Sequence, residues 1–169
     1  MVGVNERLLQ GSGYPDDTGE ASPLLASALD GYAADESRYS DVLAALGAAR
    51  LLVPVVAVLG EVELDAAGLA HDKSSDMATV LLRGADGRTA LLAFSSTATL
   101  TAWNPESRPV PVPARTAALS ALQEGAEALL LDVAGPVTVA VEGEDLRALA
   151  AGWRLARVGD RVGWVAPAD

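Results

Sequence analysis

KSSDMATVLLRGADGRTALLAFSSTATLTAWNPESRPVPV, residues 73 to 112, sets out two strands, a tight turn, a short helix and a proline-studded arm in order. Asp76 to Arg83 and Thr89 to Phe94 are strand-like runs flanking Gly84-Ala85-Asp86-Gly87-Arg88. Asp86-Gly87 supplies the positive φ a hairpin turn needs, so the two runs pair antiparallel. Leu91, Leu92, Ala93 and Phe94 leave no polar face, which puts the second run in the sheet interior. Ser96 or Thr97 can cap a short helix carrying Leu100 and Trp103, and Asn104-Pro105 closes it. Prolines then recur at 109, 111 and 113. In an extended chain alternate N–H groups point to one side, so this arm lacks donors along one edge and pairs only along the other.

Working outward toward the N-terminus, Glu61 to Ser75 is acidic and reads as a strand end and a loop, while Leu51 to Leu59 is apolar on both faces and suits a covered strand. Pro54 limits the pairing of that strand on one edge. Tyr39, Val42, Leu43 and Leu46 form one stripe of a helix from about Ser37 to Leu46, stopped by Gly47. Ser22-Pro23 starts an earlier helix, which Gly31 ends or bends. Met1 to Ala21 has the Gly, Pro, Ser and Asp composition of a disordered tail.

Toward the C-terminus, Pro113 opens a helix over Ala114 to Glu124 with Gly125 as its stop. Ala128 to Val133 and Pro136 to Val141 read as strands joined through Ala134-Gly135. A helix follows Gly143, and the last run folds as a hairpin about Gly159-Asp160. The expected fold is α/β in the α+β sense: one domain over residues 22 to 152, a mixed sheet of about five strands packed by helices, and a C-terminal hairpin or tail over 153 to 169.

Composition excludes more than it assigns. The 169 residues suffice for one domain burying roughly two-thirds of the surface its unfolded chain exposes. The hydrophobic half is mainly Ala, Val and Leu with aromatics at 4%, so the core is built from small aliphatic side chains. A net charge of -11 repels phosphate backbones and anionic lipid, which argues against nucleic-acid and membrane-surface roles. No cysteine is present, so disulfides and thiolate metal sites are excluded. The first residues show no signal-like pattern and no long apolar run occurs, so the expected location is the cytoplasm.

LLVPVV at 51 to 56, KSSDMATVLL at 73 to 82, DGRTALLAFSS at 86 to 96, the tryptophan and arginine of TAWNPESRPVPV, and LLLDVAGPVTVAV at 129 to 141 resemble, in order and spacing, the SseB N-terminal domain family of small bacterial α/β proteins. The resemblance spans roughly Leu51 to Gly152. It implies a compact α/β domain, and it supplies no catalytic residues to carry over.

No catalytic or metal motif stands out. His71 is the only histidine and lies among Glu61, Glu63, Asp65, Asp72 and Asp76, but this spacing matches no known cation loop, and such acidic segments are usually solvated. Ser74, Ser75, Ser95 and Ser96 lack a nucleophile elbow. Gly11-Ser12-Gly13 and Gly84-Ala85-Asp86-Gly87 lack the strand-to-helix setting of a phosphate loop. Asp132, within an apolar strand, needs a partner if buried; a structural role beside Gly135 and Pro136, bonding backbone N–H groups of the Ala134-Gly135 turn or pairing with an arginine, outweighs an acid catalyst. Asp86 and Gly87 are likewise structural.

Lys73, Arg88, Trp103 and Arg108 form the expected binding group, since guanidinium and indole together hold carboxylates or peptides. The competing account is that Arg88 flanks its turn, Arg108 pairs with a neighbouring acid and Trp103 fills core. The expectation is a non-enzymatic protein-interaction or regulatory module with no cofactor, whose arm docks a partner chain. The alternatives are a hydrolase or transferase using Asp132 or the acidic loop, a homo-oligomer associating through the arm or the C-terminal hairpin, and an anionic-metabolite pocket on Lys73, Arg88 and Arg108.

Overall fold

A computed structural model of the chain describes residues 14–58, 63–64, 70–71 and 76–169. Helix α1 (Pro23–Ala34) starts where Ser22 accepts from the Leu25 N–H at 3.3 Å and Pro23, with no donor to satisfy, takes the first position. Gly31 does not end this helix. Its missing side chain instead makes room for Arg38, whose Cζ would lie 2.8 Å from a Cβ at position 31. A 3₁₀ turn (Glu36–Arg38), capped by the Asp35 carboxylate, leads into α2 (Tyr39–Leu46).

Along the chain follow β1 (Arg50–Val58), β2 (Glu63–Leu64), β3 (Ala70–His71), β4 (Asp76–Thr79), β5 (Leu81–Arg83), β6 (Thr89–Ala93), α3 (Thr97–Trp103), β7 (Arg108–Pro113), α4 (Ala114–Gln123), β8 (Ala128–Leu131), β9 (Val139–Glu142), α5 (Gly143–Ala150), β10 (Arg154–Val158) and β11 (Arg161–Val165). This is an α+β fold with a mixed sheet. The acidic segment read as a loop contains the small β2–β3 pair, with Glu63 opposite His71.

The sheet is organised by which prolines lack which donors. Leu52 and Phe94 exchange two backbone hydrogen bonds of 2.8 Å, so Leu52 points its N–H away from β7. Arg50, Leu52 and Pro54 face Pro113, Pro111 and Pro109 across the β1–β7 ladder. These are therefore its non-hydrogen-bonded pairs, and the donor-free sides of the three β7 prolines lie along the outer edge.

Pro54 has a matching consequence on the other side of β1. It has no N–H to give there, and β1 and β6 part company beyond Leu52 and Phe94. The single strand expected over Asp76 to Arg83 breaks at this point into β4, which follows β1 with Val56 opposite Ala78, and β5, which follows β6 with Leu81 opposite Leu91. Continuing the β4 register would set Val80 against Pro54. The Val80 carbonyl instead accepts from the Leu92 N–H at 3.2 Å. β6 pairs parallel with β8 and β8 antiparallel with β9, which completes the order β7-β1-β6-β8-β9 with β4 and β5 in the fork.

Side chains alternate between two faces. Leu51, Val53, Leu91, Ala93, Leu129, Leu131, Val139 and Val141 point into the main core, which α1, α2, α4 and α5 close with Leu and Ala. The prediction of a core made from small aliphatic side chains follows from the same positions. β10 and β11 form a separate ribbon, held to α5 where the Trp164 indole N–H donates to Asp145 at 2.8 Å.

Candidate functional site

The second sheet face carries Leu52, Leu92, Phe94, Leu130 and Asp132, and it has two halves. α3 covers one. Leu100 and Trp103 lie on Leu52, Leu92 and Phe94, and the Phe94 and Trp103 rings are 5.5 Å apart at 30°. The helix is short and fixed at its start: Ser96, one of the two caps the sequence offers, is the N-cap, and it forms a reciprocal capping box with Thr99.

Asp132 holds that start in place. Its Oδ1 accepts from the Ser95 N–H at 2.8 Å and the Thr99 hydroxyl at 2.7 Å, and its Oδ2 accepts from the Ser95 hydroxyl at 2.6 Å. The residue is 2% exposed and stands in the left-handed region at φ 54. The sequence suggested the Ala134-Gly135 turn or an arginine as its partner, whereas the structure supplies the strand end and helix start across the sheet. With both oxygens occupied by structural donors, Asp132 is a post rather than an acid facing a cleft. Gly135, at φ 89, donates its N–H to the Asp132 carbonyl at 2.9 Å and precedes a cis peptide to Pro136.

Residues 14 to 21 also belong to this region, which corrects the disordered tail expected through Ala21. The Arg50 guanidinium pairs with Asp17 at 2.6 Å, donates to the Ser95 carbonyl at 3.2 Å and reaches the Glu20 carbonyl. Both side chains of the ion pair are nearly buried, at 12% and 13% exposure. The Gly19 carbonyl accepts from the Thr97 N–H at 2.7 Å, and a Cβ at Gly19 would collide with the Thr97 hydroxyl. Arg50 was not singled out from sequence; the only available signal was a charged residue opening a strongly apolar strand.

The other half of this face is open. A cleft of about 460 Å³ runs over Leu82, Ala90, Ala128, Leu130 and Ala140, floored by alanines and walled by the two leucines. Leu82 is 42% exposed. Asp86, Arg88, Glu127 and Glu142 form the rim. Arg88 bonds Asp86 at 3.0 Å and Glu142 at 3.1 Å. The Arg88 backbone N–H is the main influence holding the Asp86 carboxyl below its ordinary range, and the Glu142 charge is the main influence raising the Arg88 guanidinium. Gly87, at φ 86, makes the turn that the Asp-Gly pair predicts.

The expected binding group is not brought together. Arg88 and Trp103 share this face, but Arg88 precedes β6 and Trp103 sits on Phe94 beyond its far end, about 20 Å away at the rise of an extended strand. Arg108 is exposed at the start of β7, opposite Val55. Lys73 lies outside the described residues. The arm cannot receive another strand as expected: β1 already occupies its donor-bearing edge, and prolines remove the donors from the other. Most of the acidic segment around His71 also lies outside the described residues, and among those described no three or more His, Cys, Asp or Glu side chains gather to hold a metal.

The architecture is that of a small α+β domain with one face sealed and one half open. The SseB protein N-terminal domain family matches residues 25–148, and the chain belongs to that family. The match starts inside α1, well before the Leu51 at which the resemblance becomes legible by eye. No curated protein and no solved structure matches the chain. Among the described residues no helix is long and apolar enough to cross a membrane.

Proposed function

We propose that this SseB-family domain is a non-enzymatic interaction module of the cytoplasm, which receives a partner's amphipathic helix on the open half of the second sheet face. The observation that carries this reading is the cleft over Leu82, Ala90, Leu130 and Ala140, an apolar floor continuous with the half that α3 covers. α3 provides the pattern for the occupant: a short helix laying Leu100 and Trp103 on the same strands. Alanines on the floor let a helix approach closely, and the Leu82 and Leu130 walls give its apolar side chains contact area. The rim is acidic apart from Arg88, and the whole chain carries a net charge of -11, so a helix with basic flanks is favoured.

The test compares partners recovered by the wild type, by Leu130→Arg, and by Trp103→Ala with Arg108→Ala. Loss of a partner in Leu130→Arg but not in the double variant supports the cleft, and the reverse pattern restores the Trp103 and Arg108 surface. Identical partner sets for all three folded proteins would overturn the proposal.

A further inference from the structure

The C-terminal ribbon has a donor-bearing edge that no other strand covers among the described residues. Val158 and Arg161 flank the two-residue turn Gly159-Asp160, with Gly159 at φ 60. A hairpin closed this way makes its ladder bonds at the pairs 158/161, 156/163 and 154/165. The backbone groups of Leu155, Arg157, Val162 and Trp164 therefore point to its two outer edges.

The β10 edge lies beside α2, where Arg157 reaches Asp41 at 3.9 Å and Ser40, Asp41 and Ala44 share a small cavity with Leu155, Arg157 and the side chain of Val162. On the β11 side Arg161, Val162, Gly163 and Val165 are exposed. No backbone hydrogen bond to Val162 or Trp164 exists beyond the hairpin among the described residues. The edge strand β7 of the main sheet is protected by Pro109, Pro111 and Pro113, whereas β11 contains no proline.

We propose that β11 pairs antiparallel with β11 of a second copy of this chain, about a two-fold axis at Gly163. The sequence RVGWV is self-complementary in that register. Val162 then exchanges both backbone bonds with Trp164 of the second copy and Trp164 with its Val162, giving two hydrogen-bonded pairs. Arg161 faces Val165 rather than another arginine, so no like charges oppose. At the axis, Gly163 faces Gly163 in a non-hydrogen-bonded pair, where backbones approach most closely.

Charge is small at this end of a chain whose net charge is -11: within residues 153–169 Arg154, Arg157 and Arg161 are set against Asp160 and Asp169, and Arg157 reaches Asp41. Pairing there avoids bringing two acidic surfaces into direct contact. Val158, Val162 and Val165, with Val165 at 53% exposure, give the ribbon apolar surface to cover. One strand pair covers less than the roughly 800 Å² per partner of a standard stable interface, so the dimer is concentration-dependent.

Sedimentation of the full chain across a dilution series tests this. The wild type is expected to shift from dimer to monomer, and Val162→Pro to weaken association about a hundredfold, since it removes outward donors while leaving the ladder bonds of the hairpin intact. Because the chain has no cysteine, Gly163→Cys provides an independent reading: a Cβ there meets nothing within 4 Å, and mild oxidation should cross-link two copies faster than it does Arg161→Cys. A wild type that is monomeric throughout, or a dimer that survives Val162→Pro with equal cross-linking at both positions, overturns the proposal.

Discussion

The two faces of the sheet are made by the same strands, residue by alternate residue, and meet opposite fates. Leu129 and Leu131 are sealed beneath helices, while their neighbour Leu130 walls an open cleft. On the helix side α1, α2, α4 and α5 close over a continuous core. On the other, α3 alone covers the end at Phe94, and Asp132 holds it there through Ser95 and Thr99. Apolar alternation therefore does not by itself say which face is core. What decides is how many helices the connections return to each side.

The largest expected effect separates the faces directly. Leu129→Ala should cost about 3 kcal/mol in urea unfolding, by lost transfer energy and the cavity left behind, while Leu130→Ala should cost about 1 kcal/mol because water already reaches that side chain. Equal costs would mean that the second face is as closed as the first.

Next in size, Asp132→Ala leaves the Ser95 N–H and hydroxyl without their acceptor, while the Thr99 hydroxyl keeps the Ser96 carbonyl at 3.0 Å, and should cost about 2 kcal/mol. The loss should appear at α3 first, as a red shift of Trp103 emission before global unfolding. An unchanged spectrum would show that the covered half does not depend on this post.

The smallest effect lies at the cleft rim. Asp86 has its folded pKa depressed below the ordinary 3.8, chiefly by the Arg88 N–H. Its contribution is present above the unfolded value and is lost as the pH falls through the folded one. The Arg88 amide resonance should therefore titrate below the ordinary aspartate range, and Asp86→Ala should abolish that titration without moving resonances under the helices.

What was legible in the sequence was local. The Asp86-Gly87 hairpin, the Ser22-Pro23 helix start and the one-edged arm follow from turn chemistry and missing donors within a few residues. The break at Val80 was not legible, because its cause, Pro54, sits on another strand. Asp132 was recognised as structural, but its partners lie 37 and 33 residues away across the sheet. Trp103, Arg88 and Arg108 looked like a group because they are close in the chain, and a full strand length separates the first two. Tyr14 to Ala21 read as a tail because composition records few apolar anchors, while the anchor in use is a charge.

That last feature sets where a self-sufficient unit begins. Cutting the chain at Leu25, where the family match opens, removes Asp17 together with the Gly19 and Glu20 carbonyls. Arg50 would then keep its positive charge in a nearly buried position with the Ser95 carbonyl still beside it and no anion to neutralise it. Electroneutrality at one arginine, rather than sequence similarity, therefore dictates that a fragment meant to behave like the whole should retain Asp17.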